Sequence, residues 1–287
     1  MFIKKKKKMD LNKVFDAINK NAIKLEFQVN NKEELPIGTS KFGGNPDVPK
    51  DFEWFYYVGE DFGGKTKERP LSFLAQINCE EVKQYDEDGL LPSKGMLYFF
   101  YELATMRWGF DPQDKGSAKV YYFDGDVTQL IRTNCPDSLE DEFKLPEIKI
   151  GFSKKYDLPD YEEFTELHDF GNWDEYDEAK VMKGYEQEET ISKLLGYADL
   201  IQGGMLLECE QVTNGIYCGG IPEVAPEELK KMKDNCVEWQ LLFQMDTVTT
   251  NDFELMFGDC GRIYYYIKKE DLKNCNFDDC WLILQCY

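Results

Sequence analysis

Three blocks from the first half of this chain return, in the same order, in the second. Lys41-Phe42-Gly43-Gly44-Asn45-Pro46-Asp47-Val48 aligns with Lys193-Leu194-Leu195-Gly196-Tyr197-Ala198-Asp199-Leu200 at an offset of 152 residues. Ser72-Phe73-Leu74-Ala75-Gln76-Ile77-Asn78 aligns with Gln240-Leu241-Leu242-Phe243-Gln244-Met245-Asp246 at 168, and Gly95-Met96-Leu97-Tyr98-Phe99-Phe100-Tyr101 with Gly261-Arg262-Ile263-Tyr264-Tyr265-Tyr266-Ile267 at 166. Conserved order with a slowly drifting offset is what insertions leave behind in an internal duplication. Each half reads as a loop with Gly and Asp, a strand with Gln near its end, a turn, and an aromatic strand opened by Gly. Two such halves are expected to pack about a pseudo-two-fold axis, with a groove or a shared core between them. Gln76 and Gln244 then become equivalent, and a buried polar side chain needs a partner. Either each ties down its neighbouring loop, or both face one cleft and hold a ligand.

The chain is long enough for a sizeable core: 287 residues, 42% apolar and 15% aromatic. Segments 54–58, 71–77, 96–101, 119–123 and 127–131 are rich in aromatic and β-branched residues and bounded by Gly, Pro and Asp, which predicts strands. So do 205–210, 239–246, 253–257, 262–267 and 281–286. Phe123-Asp124-Gly125-Asp126-Val127 carries a hairpin signal. Helices are expected over 10–22, where Asp10 can cap an apolar face, and over 226–235, where Pro226 stands in the first turn. The fold class is α+β and β-rich, with antiparallel sheets in two pseudo-repeated halves and a few peripheral helices. Four parts are expected: a basic tail (1–9), a first β-rich half (10–136), an acidic helical connector (137–190) and a second β-rich half (191–287), the halves packed as one unit.

Charge narrows the partners. The balance of 34 cationic and 55 anionic residues is −21, and five of the cations are the run Lys4–Lys8. Residues 137–189 hold 18 acidic residues against 6 lysines, a net −12. Tyr161, Phe164 and Leu167, then Trp173, Tyr176 and Ala179, recur at helical spacing, so two short helices flank Gly171 with one apolar seam and a negative outer face. Glu162, Glu163, Glu166, Asp174, Glu175, Asp177 and Glu178 make up that expected face. So acidic a body repels phosphate backbones, which argues against nucleic acid, and attracts a basic protein partner. No apolar run reaches the length of a bilayer span, the start has no signal-peptide core, and no lipidation motif closes the chain, so no membrane is expected and a cytoplasmic setting with reduced thiols is.

Motifs for chemistry are few. Gly59-Glu60-Asp61-Phe62-Gly63-Gly64-Lys65-Thr66 fits the P-loop pattern letter by letter, but Pro70 follows at once where a helix must start, and two carboxylates stand in the anion cradle. A long hairpin is the better expectation. Residues 111–116 resemble a calcium loop only loosely, with Gln113 and Lys115 at ligand positions and no Glu at the twelfth. The nine cysteines form no C-x-x-C pair, and the single histidine, His168, sits among Glu166 and Asp169, which would favour its protonated form. Glu208 and Glu210 are expected on one face of a strand. No catalytic set, metal site or cofactor site emerges. The candidate binding residues are Gln76, Trp108, Asp199, Gln202 and Gln244, around a cleft between the halves.

Several blocks together resemble the YwqG-like family, a bacterial domain family: 41–46, 70–77, 91–100, Trp108-Gly109-Phe110, 197–202 and Met256-Phe257-Gly258-Asp259-Cys260-Gly261. The resemblance runs from about residue 30 to the C-terminus and leaves out the acidic stretch, the 59–66 loop and the Lys-rich start. It implies an α+β, β-rich fold and brings no catalytic residues, since the family has no established activity. Some members are thought to act as immunity proteins that block a cognate toxin. The expected function is therefore a non-enzymatic acidic protein-binding module, of the immunity type against a basic toxin. The alternative is a small-ligand binder or enzyme that uses the inter-repeat cleft. A homodimer that pairs exposed strand edges is a third expectation.

Overall fold

A computed structural model describes residues 9–29, 34–185, 191–221 and 223–287. The Lys4–Lys8 run, and Glu186, Glu188 and Glu189 of the acidic stretch, lie outside them. The first half runs α1 (Leu11–Ile18), β1 (Lys20–Gln28), β2 (Lys41–Phe42), β3 (Asp47–Val48), β4 (Tyr56–Glu60), β5 (Thr66–Pro70), β6 (Ser72–Asn78), α2 (Cys79–Val82), β7 (Met96–Tyr101), β8 (Ala118–Phe123) and β9 (Ile131–Arg132). Then come β10 (Ile148–Asp157), α3 (Tyr161–Leu167) and α4 (Trp173–Met182). The second half runs β11 (Lys193–Leu195), α5 (Leu206–Thr213), α6 (Pro226–Asn235), β12 (Trp239–Met245), β13 (Val248–Thr249), β14 (Glu254–Leu255), β15 (Arg262–Lys268), α7 (Lys269–Lys273) and β16 (Trp281–Gln285).

Ten strands form one antiparallel sheet in the order β16-β15-β12-β11-β1-β10-β2-β6-β7-β8. The order is symmetric about the β1–β10 pair, which runs from Lys20 opposite Asp157 to Gln28 opposite Lys149. On one side Lys41 pairs with Gln76, and on the other Lys193 pairs with Gln244. Tyr98 stands opposite Gln76 and Tyr264 opposite Gln244. The register slips at the same place in both halves, between Phe73 and Ala75 and between Leu241 and Phe243. A shared bulge at equivalent positions is a structural record of the duplication. The two leading strands are exchanged: β1 precedes β2 in the chain but borders β11, and β10 precedes β11 but borders β2.

The sheet curls until its edges nearly meet. Inside, Phe99 of one half meets Phe243 and Tyr265 of the other at ring-centroid distances of 4.3 and 5.3 Å, so the halves share one core. Between the edge strands β8 and β16 lies a loop: Leu284 N–H donates to the Trp108 carbonyl at 2.9 Å, and Trp281 Nε1 to the Gly109 carbonyl at 2.8 Å. Gly109 has φ +83°, and a Cβ there would lie 1.9 Å from the Leu282 carbonyl oxygen, so only glycine lets the loop approach so closely. The outer faces are covered differently. Phe52, Trp54 and Phe55 pack over Phe73, Tyr98 and Phe100, whereas α5 covers Leu241, Tyr264 and Tyr266.

Local expectations hold in part. The 59–66 segment is the turn of the β4–β5 hairpin, with Asp61 accepting from the Gly63 and Lys65 N–H groups, as a turn carboxylate does. Asp10 caps α1, but the helix ends at Ile18 and Ala22 belongs to β1. Segment 205–210 is helical rather than extended: Leu206, Cys209 and Val212 bury one face of α5, and six residues are too few to reveal the period. Residues 127–129 form a 3₁₀ turn capped by Asp126, so β8 does not continue into a hairpin; the short β9 pairs instead with β3. The stretch 137–190, expected as a helical connector, first supplies β10, a central strand, and only then α3 and α4. Among the described residues no helix is long and apolar enough to cross a membrane.

Candidate functional site

Gln76 is fully buried and lies in its own half. Its carbonyl accepts from Asp47 N–H at 2.8 Å, and its amide donates to the Thr39 carbonyl at 2.9 Å and to Asp47 Oδ2 at 2.8 Å. Gln244 repeats the arrangement: it accepts from Asp199 N–H, and donates to the Ile191 carbonyl and to Asp199 Oδ2, each at 2.9 Å. Each glutamine thus ties down the loop that follows β2 or β11. Four strands separate them in the sheet. Asp199, Gln202 and Gln244 gather at one loop, where Gln202 Nε2 donates to the Cys286 carbonyl at 2.8 Å. Trp108 belongs to the loop that bridges to β16. The five residues expected around a common cleft are therefore distributed over three places. Replacing Gln244 by Leu should cost about 2–5 kcal/mol in urea unfolding, because the buried groups it serves lose their partners; a cost below about 1 kcal/mol would contradict the tie.

The sequence reading missed the rest of this repeated cluster. Lys41 and Lys193 both have their ammonium groups buried. Lys193 Nζ lies 2.6 Å from Asp199 and 2.7 Å from Asp157. Burial alone would lower its pKa, but these two carboxylates outweigh that and hold it above the usual lysine range. Lys41 Nζ lies 2.7 Å from Glu147 and 3.8 Å from Asp47, and there burial prevails and lowers the pKa. Tyr98 and Tyr264 donate to the carbonyls of Asp47 and Asp199. Both lysines stand in the aligned blocks, so the signal was present in the duplication itself.

The acidic stretch is not one uniform face. Glu162, Asp174, Asp177 and Glu178 are exposed and Glu175 is half-buried. Glu163, only 3% exposed, turns inward beneath α3, and Glu166 is largely buried. Burial pushes Glu163 up to about 8 against the pull of Lys20, and Glu166 up to about 7. Glu208 lies on α5, not on a strand, and burial raises it to about 7. Glu210, also on α5, accepts from Trp239 Nε1 at 2.9 Å. His168 is half-buried against Phe164, with ring centroids 4.5 Å apart. Burial lowers its pKa, the reverse of the sequence expectation, because removal from water disfavours the protonated ring.

Two cavities adjoin these groups. One, ≈ 510 Å³, lies at the seam between β8 and β16, with Trp239 and Trp281 in its walls and the Lys119–Asp278 pair at its edge. The other, ≈ 430 Å³, lies between the C-terminal end of α3 and helices α5 and α6. Among the described residues no group of three or more His, Cys, Asp or Glu side chains is placed to hold a metal ion.

A family model described as a domain of unknown function, DUF1963, matches residues 40–286. The chain belongs to that family. No curated protein matches it. The DUF1963 match spans both halves of the duplication, from β2 to the last strand, and β1 lies before it although it is a central strand of the sheet.

Proposed function

We propose that this DUF1963 protein is a non-enzymatic, acidic protein-binding module that docks a basic partner on the outer face of α4, in the manner of an immunity protein of the YwqG-like kind that blocks a basic toxin. The composition of that face carries the reading. Trp173, Asp177 and Val181 form one exposed row along the helix, and Asp174, Glu178 and Met182 form the next. Trp173 is 55% exposed and Met182 84%, which is a large apolar area to leave in water. The lysines of this segment turn away from it: Lys180 pairs with Asp160 at 2.7 Å, and Lys183 pairs with Asp16 of α1. What remains outward is an aromatic anchor and apolar ends around an acidic middle, suited to a partner with the opposite charge.

The test is titration of an amphipathic helical peptide of lysine and leucine against the wild type and the variant Trp173→Ala/Asp177→Asn/Glu178→Gln. Affinity should fall at least about tenfold in the variant. Equal affinity would contradict the assignment of α4 as the docking face.

A second reading, a small-ligand binder at the junction of the repeats, is favoured by the seam cavity with its two indole walls. It differs from the first in that its affinity would not depend on the α4 substitutions.

A further inference from the structure

The ≈ 430 Å³ cavity beside α3 contains a carboxylate whose hydrogen bonding is incomplete. Glu166 reaches from the last turn of α3 toward the first turn of α5, where the Leu206 and Leu207 N–H groups draw on it. Gly204 leaves the space: a Cβ there would lie 2.6 Å from the Glu166 carboxyl carbon. Yet Glu166 Oε2 is buried with no hydrogen-bond partner. Behind it lie two more orphans, the Oε2 of Glu163, 3% exposed, and the hydroxyl of the fully buried Tyr266. Buried polar atoms are rarely left unmatched, so the unused Glu166 oxygen marks a place for a donor; the Glu163 oxygen and the Tyr266 hydroxyl, itself a donor, lie outside the cavity wall.

The surroundings specify which donor. Asp169 lines the same cavity, and Glu208 on α5 adds a further carboxylate beside Glu166. Lys233 on α6 also lines it and acts on Glu166 through its charge, but neither it nor any other cationic side chain among the described residues lies within ion-pair distance of Glu166. Leu167 and Leu207 provide an apolar wall for a methylene stem, and the His168 imidazole provides a flat surface. An acceptor with an unused oxygen, neighbouring acidic charge, an apolar shaft and a ring to stack on suit a planar multi-donor cation better than a point charge.

We propose that this cavity receives one arginine side chain of the basic partner, its guanidinium donating to Glu166. The proposal rests on the reading that the partner is basic, and it names the partner's anchoring group. Binding favours the Glu166 carboxylate and releases the proton from whatever fraction still carries one, because the free group is pushed up to about 7 by burial. Glu163, Glu208, Tyr266, Lys233 and His168 face it from α3, α5, β15, α6 and the α3 terminus. Affinity for the cation therefore rises between pH 6 and pH 8, as Glu166 ionises more readily in the free protein.

The single histidine makes the test direct. N-acetyl-arginine amide, and its neutral isostere N-acetyl-citrulline amide, are titrated into the full chain while the His168 imidazole resonances are followed by NMR. The arginine probe should shift them saturably and the citrulline probe should not. Glu166→Gln should weaken the arginine response at least about tenfold. Leu207→Trp, which fills the cavity and leaves Glu166 in place, should abolish it. No saturable shift, an equal response to citrulline, or an unchanged response in both variants would overturn the proposal. The α4 substitutions should leave this titration unchanged. Loss of peptide binding by α4 variants with no arginine response thus removes the pocket and keeps the docking face, and the reverse pattern does the opposite.

Discussion

Lys193→Met is expected to lower the unfolding free energy by about 3–5 kcal/mol in urea denaturation, whereas Lys41→Met should cost clearly less. Both lysines are buried at equivalent positions, so a simple count of lost ion pairs would make the two changes equal. The difference lies in what remains. Without Lys41, Asp47 keeps the Arg132 guanidinium at 2.9 Å, and Glu147, partly exposed, keeps access to water. Without Lys193, Asp157 and Asp199 are left close together in the interior. The Lys155 ammonium lies 3.8 Å from Asp157, and Arg262 contacts Asp199 at its carbonyl oxygen while pairing with Asp246. Two carboxylates buried with poor compensation cost most of the effect. A loss of this size is a large share of the total stability of an ordinary domain. Equal costs for the two substitutions would contradict the asymmetry.

Stability should decline as pH rises from about 5 to 8.5, and Glu163→Gln should remove much of that decline. The folded state holds Glu163 up to about 8 and Glu166 and Glu208 up to about 7, each through burial. An unfolded glutamate titrates near 4.3. Between those values the native state binds more protons than the unfolded chain, so the unfolding free energy falls with rising pH. The stabilising contribution is complete below the unfolded pKa and is lost as pH passes through the folded ones. Each unit of displacement is worth about 1.4 kcal/mol, so even one of these groups contributes on the order of a few kcal/mol across the window. Glu163 faces Lys20 from β1, Lys193 from β11, and Asp160 and Glu166 from its own segment. Its removal should raise the melting temperature at pH 8.5 by several degrees and leave it nearly unchanged at pH 5. A wild type at least as stable at pH 8.5 as at pH 5, or a Glu163→Gln variant with an undiminished slope, would contradict the buried cluster.

The duplication was legible because its constraints are local and strong. A glutamine near a strand end, a loop with Asp six residues after a lysine, and a glycine opening an aromatic strand recur in both halves, so the residue types persisted while the offset drifted. The β4–β5 hairpin and α6 were legible for the same reason: Gly and Pro act where they stand. The exchange of β1 and β10 was not, because pairing between residues 20–28 and 149–157 depends on distance partners that no short pattern encodes. Segment 205–210 does not show α5, because Leu207, Cys209 and the two glutamates alternate as in a strand while Leu206, Cys209 and Val212 follow helical spacing. The charge of Glu163 points outward, yet its side chain is buried. Its position, one residue before Phe164 and four before Leu167, already put it on the buried stripe of α3. For His168 the neighbours in sequence, Glu166 and Asp169, do not reveal the burial against Phe164 that lowers its pKa.

The docking reading meets its most direct test in the salt dependence of association. The rate at which the lysine–leucine peptide binds should be measured by stopped flow from about 20 to 500 mM salt, for the wild type and for Asp174→Asn/Asp177→Asn/Glu178→Gln. The wild-type rate should fall at least about tenfold over that range, and the variant's much less steeply. A wild-type rate indifferent to salt, or a variant with the same steep fall, would contradict the claim that the outer face of α4 receives a basic partner.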